Sequence, residues 1–225
     1  MAGENYKVQK QEAPIDWVVE VPGSKSMTNR ALLMAALADG RTTLKGVLFS
    51  EDSRHFLASL KSLSFQVEID EAAKTVIVEG LNGRIPTIEG EIYVGSAGTA
   101  ARFLTAMLAM AEGTFVVNAS EQMKKRPMKP LFQVLTDLGA EIACLEKEGH
   151  LPVRIRGIGG RLPAQEVCSV KLDISESTQF LSALMLVSPM IKQGLCIAVT
   201  SARKYGAYIR STRKMLECFS AVVDF

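Results

Sequence analysis

Metal-binding and redox patterns are scarce in this chain. It has four cysteines and two histidines in 225 residues. Cys144, Cys168, Cys196 and Cys218 form no CxxC pair, and with only His55 and His150 beside them the spacing of a zinc site is missing. The thiols read as free groups in a reducing compartment, and both histidines as structural or exposed rather than catalytic. A net charge of +2 is too small for a general nucleic-acid surface. No apolar run reaches the ~18 residues a membrane span needs. The opening MAGENYKVQKQEAP has neither the apolar core of a signal peptide nor the pattern of a transit peptide. No Ser-His-Asp order and no Walker A motif occurs. The expectation is a cytoplasmic protein with no metal or cofactor, no nucleic-acid partner and no membrane partner.

What is present is an apolar chain, 48% hydrophobic and 22% charged, with a pattern that recurs. Val21–Gly40 (VPGSKSMTNRALLMAALADG) runs from Pro-Gly through hydroxyls and cations into a helix that is apolar from Ala31 to Ala38. Trp17–Val21 reads as the strand leading into it, and Thr42–Val47 as the strand after it. Ser50, Glu51 and Asp52 then open an amphipathic helix, with the acids favouring its positive end. Strands at Phe65–Ile69 and Thr75–Val78 complete the unit. The order repeats with GSAGTAARFLTAMLAMAEG (Gly95–Gly113) and again with SESTQFLSALMLVSPMIKQG (Ser175–Gly194). Gly23 and Gly95 lie 72 residues apart, Gly95 and Ser175 80 apart. A period of this kind outranks local assignments.

The predicted fold is therefore α/β, a pseudo-threefold repeat of βαβαββ units at about 21–80, 91–157 and 167–225. Three apolar helices would be buried together, and the third repeat is incomplete. The chain reads as a fragment cut near a domain edge. Each apolar helix starts in a polar loop, so the three N-termini would share one face with an affinity for anions.

Lys25, Ser26 and Arg30 form the densest cluster on that face. The bland reading is a capped helix start with surface cations. Arg30, however, precedes an unbroken apolar run, and a buried guanidinium calls for an anion. On this reading its removal abolishes anion binding and spares the fold. Gly95, Ser96, Gly98 and Thr99 make a small-residue loop whose backbone could approach a phosphate, although such spacing also marks close helix packing. In MKKRPM, Lys124 and Lys125 read as solvated, whereas Pro127 fixes the backbone beside Arg126 and helps aim it. Ser177, Thr178 and Gln179 open the third apolar helix, either as ordinary caps or as ligands. Tyr208 reads equally well as packing or as a hydroxyl contact.

The motifs PGSKSMTNRALLMAALADG, GSAGTAARFL, MKKRPM, LGAEI and STQFLSALML, in this order, resemble the 5-enolpyruvylshikimate-3-phosphate (EPSP) synthases over about residues 21–210. The related UDP-N-acetylglucosamine enolpyruvyl transferases carry GAKN where this chain has GSKS. A fragment of such an enzyme, or a standalone anion-binding module, is the alternative. The resemblance implies the N-terminal substrate-binding domain at 21–225, and a segment at 1–20 that contacts a C-terminal domain beyond this chain. The partners it implies are that domain, shikimate 3-phosphate and phosphoenolpyruvate. It implies transfer of the enolpyruvyl group to the shikimate 5-hydroxyl, with phosphate released. Lys25, Ser26, Arg30, Ser177, Thr178, Gln179 and Tyr208 would hold shikimate 3-phosphate. Lys25, Gly98, Arg126 and Gln179 would hold phosphoenolpyruvate, with Lys25 the catalytic group of this half. Four positions depart from the family pattern: Ser96 for asparagine, Phe103 for proline, Tyr205 for a substrate-binding serine, and Glu176, an acid beside the phosphate ligands.

Overall fold

The computed structural model describes residues 7, 9, 10, 12, 14, 16–159, 167–202 and 206–224. The first unit runs α1 (Lys25–Leu37), β1 (Asp39–Lys45), α2 (Glu51–Ser62), β2 (Val67–Asp70), β3 (Thr75–Leu81). The second runs β4 (Glu89–Tyr93), α3 (Gly98–Met110), β5 (Thr114–Asn118), a short α4 (Glu121–Lys124), α5 (Lys129–Asp137), β6 (Glu141–Cys144), β7 (Val153–Arg156). The third runs β8 (Cys168–Leu172), α6 (Gln179–Val187), a 3-10 turn at Ser188–Met190, β9 (Leu195–Val199) and α7 (Ala207–Cys218).

The sheets repeat the same plan. The strand before an apolar helix pairs in parallel with the strand after it, β4 with β5 and β8 with β9. The last strand of a unit returns antiparallel to that second strand, β3 on β1 and β7 on β5. The orders are β1-β3-β2, β4-β5-β7-β6 and β8-β9.

The first unit departs from this plan. Residues 17–21 form no strand, and Trp17, Val18, Val19 and Val21 are 71–98% exposed. The β-branched run has the propensity, but a strand exists only where a neighbour satisfies its backbone. Among the described residues nothing pairs with it.

Every residue of α3 is buried, as is all of α6 except Gln179. In α1, Leu32 through Leu37 are buried, and the three helices touch one another. A helix surrounded in this way needs no polar face, hence the unbroken apolar runs. The outer helices show the complementary pattern, burying only Phe56, Leu57 and Leu60 from α2 or Ile209 and Leu216 from α7 among their large apolar groups. Among the described residues no helix is long and apolar enough to cross a membrane, and no cluster of His, Cys, Asp or Glu could hold a metal.

Candidate anion-binding site

The starts of α1, α3 and α6 open onto one cavity of about 550 Å³. It is lined from α1 by Lys25, Ser26 and Arg30, and from the start of α3 by Ser96, Gly98 and Thr99. Ser177, Thr178 and Gln179 line it from the start of α6, with Arg126 and Tyr208 beside them. The predicted shared face thus exists, and it gathers all nine predicted site residues. The starts of α3 and α6 lack a side-chain cap at Ala97 and Thr178, although Ser177 Oγ accepts from the Gln179 N–H at 3.2 Å. First-turn N–H groups left in this way are donors for an anion.

Arg30 is only 1% exposed. Its Nε donates to Thr212 Oγ1 at 2.8 Å, Nη1 to Ser26 O at 2.9 Å, and Nη2 to Ser182 Oγ at 3.1 Å and Tyr208 O at 3.4 Å. The guanidinium also lies over the rings of Phe103 and Tyr208, 5.2 and 5.9 Å from their centroids. Burial pushes its pKa down to about 10, so it remains protonated at neutral pH. Burial of Arg30 therefore does not by itself demand an anion, although the residue lines the cavity. Neutral acceptors and aromatic faces already hold it, and it joins α1 to α6 and α7. These contacts lead to the expectation that its loss costs stability.

Lys25 is half-exposed and reaches Asp52 Oδ2 at 3.2 Å. Asp52 belongs to the first turn of α2 and lines the same cavity. In sequence it is indistinguishable from a charge that stabilises a helix start, so its contact with the site was missed.

Arg102 was also missed. It is 2% exposed and donates from Nη1 to Gly98 O at 3.2 Å and from Nη2 to Pro127 O at 3.1 Å. It thereby ties the start of α3 to the loop that follows Arg126. Burial, then the charge of Arg126, lowers its pKa to about 9. A Cβ on Gly98 would stand 2.5 Å from Arg126 Nη1 and 3.0 Å from Arg102 Nη1, so two guanidinium groups converge on this glycine. The clue in sequence was an arginine inside an otherwise apolar helix.

The remaining predictions divide. Lys125 is exposed, but Lys124 is largely covered and pairs with Glu146 at 2.8 Å and Glu121 at 3.0 Å. Ser96 Oγ is bonded to Ser120 Oγ at 2.8 Å. Tyr208 is 60% exposed at the mouth. Among the described residues, Gln179 Oε1 is buried with no hydrogen-bond partner. Tyr205 lies outside the described residues.

Comparison with known proteins gives one answer. The family model described as EPSP synthase (3-phosphoshikimate 1-carboxyvinyltransferase) matches residues 9–225. A 3-phosphoshikimate 1-carboxyvinyltransferase of Opitutus terrae is 40% identical over 218 residues, covering 94% of this chain and 48% of its own length. One from Psychromonas ingrahamii is 36% identical over 215 residues, covering 94% and 49%. The solved EPSP synthase of Acinetobacter baumannii superposes with a TM-score of 0.73 at 25% identity, over 92% of this chain and 44% of that one. The chain spans about half the length of the curated relatives it matches.

Proposed function

The chain belongs to the EPSP synthase family, and from that premise we propose that it is the shikimate 3-phosphate-binding part of a cytoplasmic 3-phosphoshikimate 1-carboxyvinyltransferase. The observation that carries this reading is the chemistry of the shared cavity. Lys25, Arg30 and Arg126, two helix starts without side-chain caps, and the hydroxyls of Ser26, Ser177 and Thr178 suit an anion. The buried, unpaired Gln179 Oε1 calls for a donor, which a hydroxyl of the ligand supplies. A phosphorylated polyol satisfies both demands.

In this proposal Lys25, Ser26, Arg30, Ser177, Thr178, Gln179 and Tyr208 hold shikimate 3-phosphate. Lys25, Gly98, Arg126 and Gln179 hold phosphoenolpyruvate. The shikimate 5-hydroxyl oxygen adds to C2 of phosphoenolpyruvate as its own proton leaves to a base and the methylene carbon takes a proton; loss of phosphate from C2 and of a proton from the new methyl group then restores the double bond. Two highly charged anions must be brought together, and fixed cations in a water-poor cleft lower that cost. Lys25 lies at the mouth where both would meet, held by Asp52. The remaining acid-base groups are assigned to the half of the longer relatives that this chain does not match.

Calorimetric titration of residues 1–225 tests the reading. Saturable binding of shikimate 3-phosphate, with none of UDP-N-acetylglucosamine, is expected. A folded chain that ignores shikimate 3-phosphate at millimolar concentration would refute it.

A further inference from the structure

We propose that Glu176 balances the charge of the Arg102–Arg126 pair across the cavity, and that its charge sets how tightly this subsite takes a phosphate or carboxylate. The inference rests on the anion-binding reading of the cavity and adds a residue to which that reading gives no role.

Two guanidinium groups converge on Gly98, and among the described residues neither forms an ion pair. Like charges so placed repel, and Arg126 depresses the pKa of Arg102 for that reason. The carboxylates facing the same cavity are Asp52 and Glu176. Asp52 is engaged by Lys25. Glu176 is exposed and has no hydrogen-bond or ion-pair partner among the described residues, and its charge acts on Arg102 in the direction opposite to that of Arg126. The loop carrying it is pinned from behind, because Asp173 Oδ1 accepts from the N–H and the hydroxyl of Ser175 at 2.8 and 2.6 Å. The carboxylate thus faces the cavity without an ion pair to either arginine.

An incoming anion meets attraction from the arginines and repulsion from Glu176. A unit charge sharing the cavity with a dianion in a water-like dielectric changes its affinity by about fivefold. Neutralising Glu176 therefore tightens anion binding, and the gain fades as salt screens it.

The experiment titrates inorganic phosphate into residues 1–225 as wild type, Glu176→Gln and Glu176→Asp, at low and high ionic strength. Expected is about fivefold tighter binding by Glu176→Gln at low salt, no change in Glu176→Asp, and a gap that narrows at high salt. A Glu176→Gln variant that binds no tighter, or a gain that high salt leaves intact, overturns the proposal. So does failure of all three proteins to take phosphate. A parallel titration with shikimate 3-phosphate separates the two readings. If phosphate behaves as expected and shikimate 3-phosphate does not bind, the substrate assignment falls while the role of Glu176 stands.

Discussion

At the scale of single residues, Gly98 is the most sensitive position in the site. A methyl group there would stand 2.5 Å from Arg126 Nη1, and the flexible guanidinium rather than the helix would yield. Gly98→Ala is therefore expected to weaken phosphate binding about tenfold and to change folding stability by less than about 1 kcal/mol. Calorimetry and urea denaturation on the same sample would separate the two effects, and a large loss of stability would show that α3 moves instead. Arg30 should behave in the opposite way. Arg30→Ala strands the acceptors on Thr212, Ser182 and Ser26 and opens a cavity between α1, α6 and α7. The expected cost is about 3 kcal/mol, read as a lower urea midpoint, and an unchanged midpoint would contradict the network described. Little of this was legible in the sequence. The local run showed that Arg30 enters a buried helix, but its partners Ser182 and Thr212 lie 152 and 182 positions away, and no spacing rule connects them.

At the scale of elements, the first two units share a device that involves glycine. Where the last strand passes the C-terminus of the apolar helix, a Cβ on Gly80 would stand 2.3 Å from Ala38 O and 2.4 Å from Ala35 O. A Cβ on Gly157 would stand 2.1 Å from Ala111 O and 2.5 Å from Leu108 O. This close approach lets the following backbone cap carbonyls at the helix ends, Asn82 N–H to Ala38 O at 2.8 Å and Gly159 N–H to Ala111 O at 2.9 Å. Gly80→Ala and Gly157→Ala should each cost about 2–4 kcal/mol, because backbone must move. Gly40→Ala, with a φ of +81° and open space around it, should cost only about 1 kcal/mol. Equal denaturation midpoints for all three variants would refute the close-packing explanation. The elements themselves were largely readable, since a buried helix shows an unbroken apolar run and an outer helix shows a striped one. Two exceptions have physical causes. Residues 17–21 carry strand propensity with no strand to pair with, and α4 is too short to show a period.

At the scale of the whole molecule, the cavity lies where the three units meet rather than inside any one of them. Its walls come from the starts of α1, α3 and α6, and those helices form the common core. Buried polar contacts already cross between units at this end. Asn29 Nδ2 donates to Thr99 Oγ1 at 2.7 Å, and Arg30 reaches Ser182 and Thr212. A ligand gripping all three helix starts adds further cross-links of the same kind, so its binding energy should stabilise the assembly of units and not one element. Shikimate 3-phosphate at a hundred times its dissociation constant should raise global stability by about 2.7 kcal/mol. Amide hydrogen exchange gives the sharper test. Slowed exchange is expected together in α1, α3 and α6, including the first turns that lack side-chain caps, while the turn at 82–83, which caps the opposite end of α1, keeps its free-state rate. Protection confined to α1 would mean that Lys25, Ser26 and Arg30 bind alone and that the convergence of three helix starts has no part in holding the ligand.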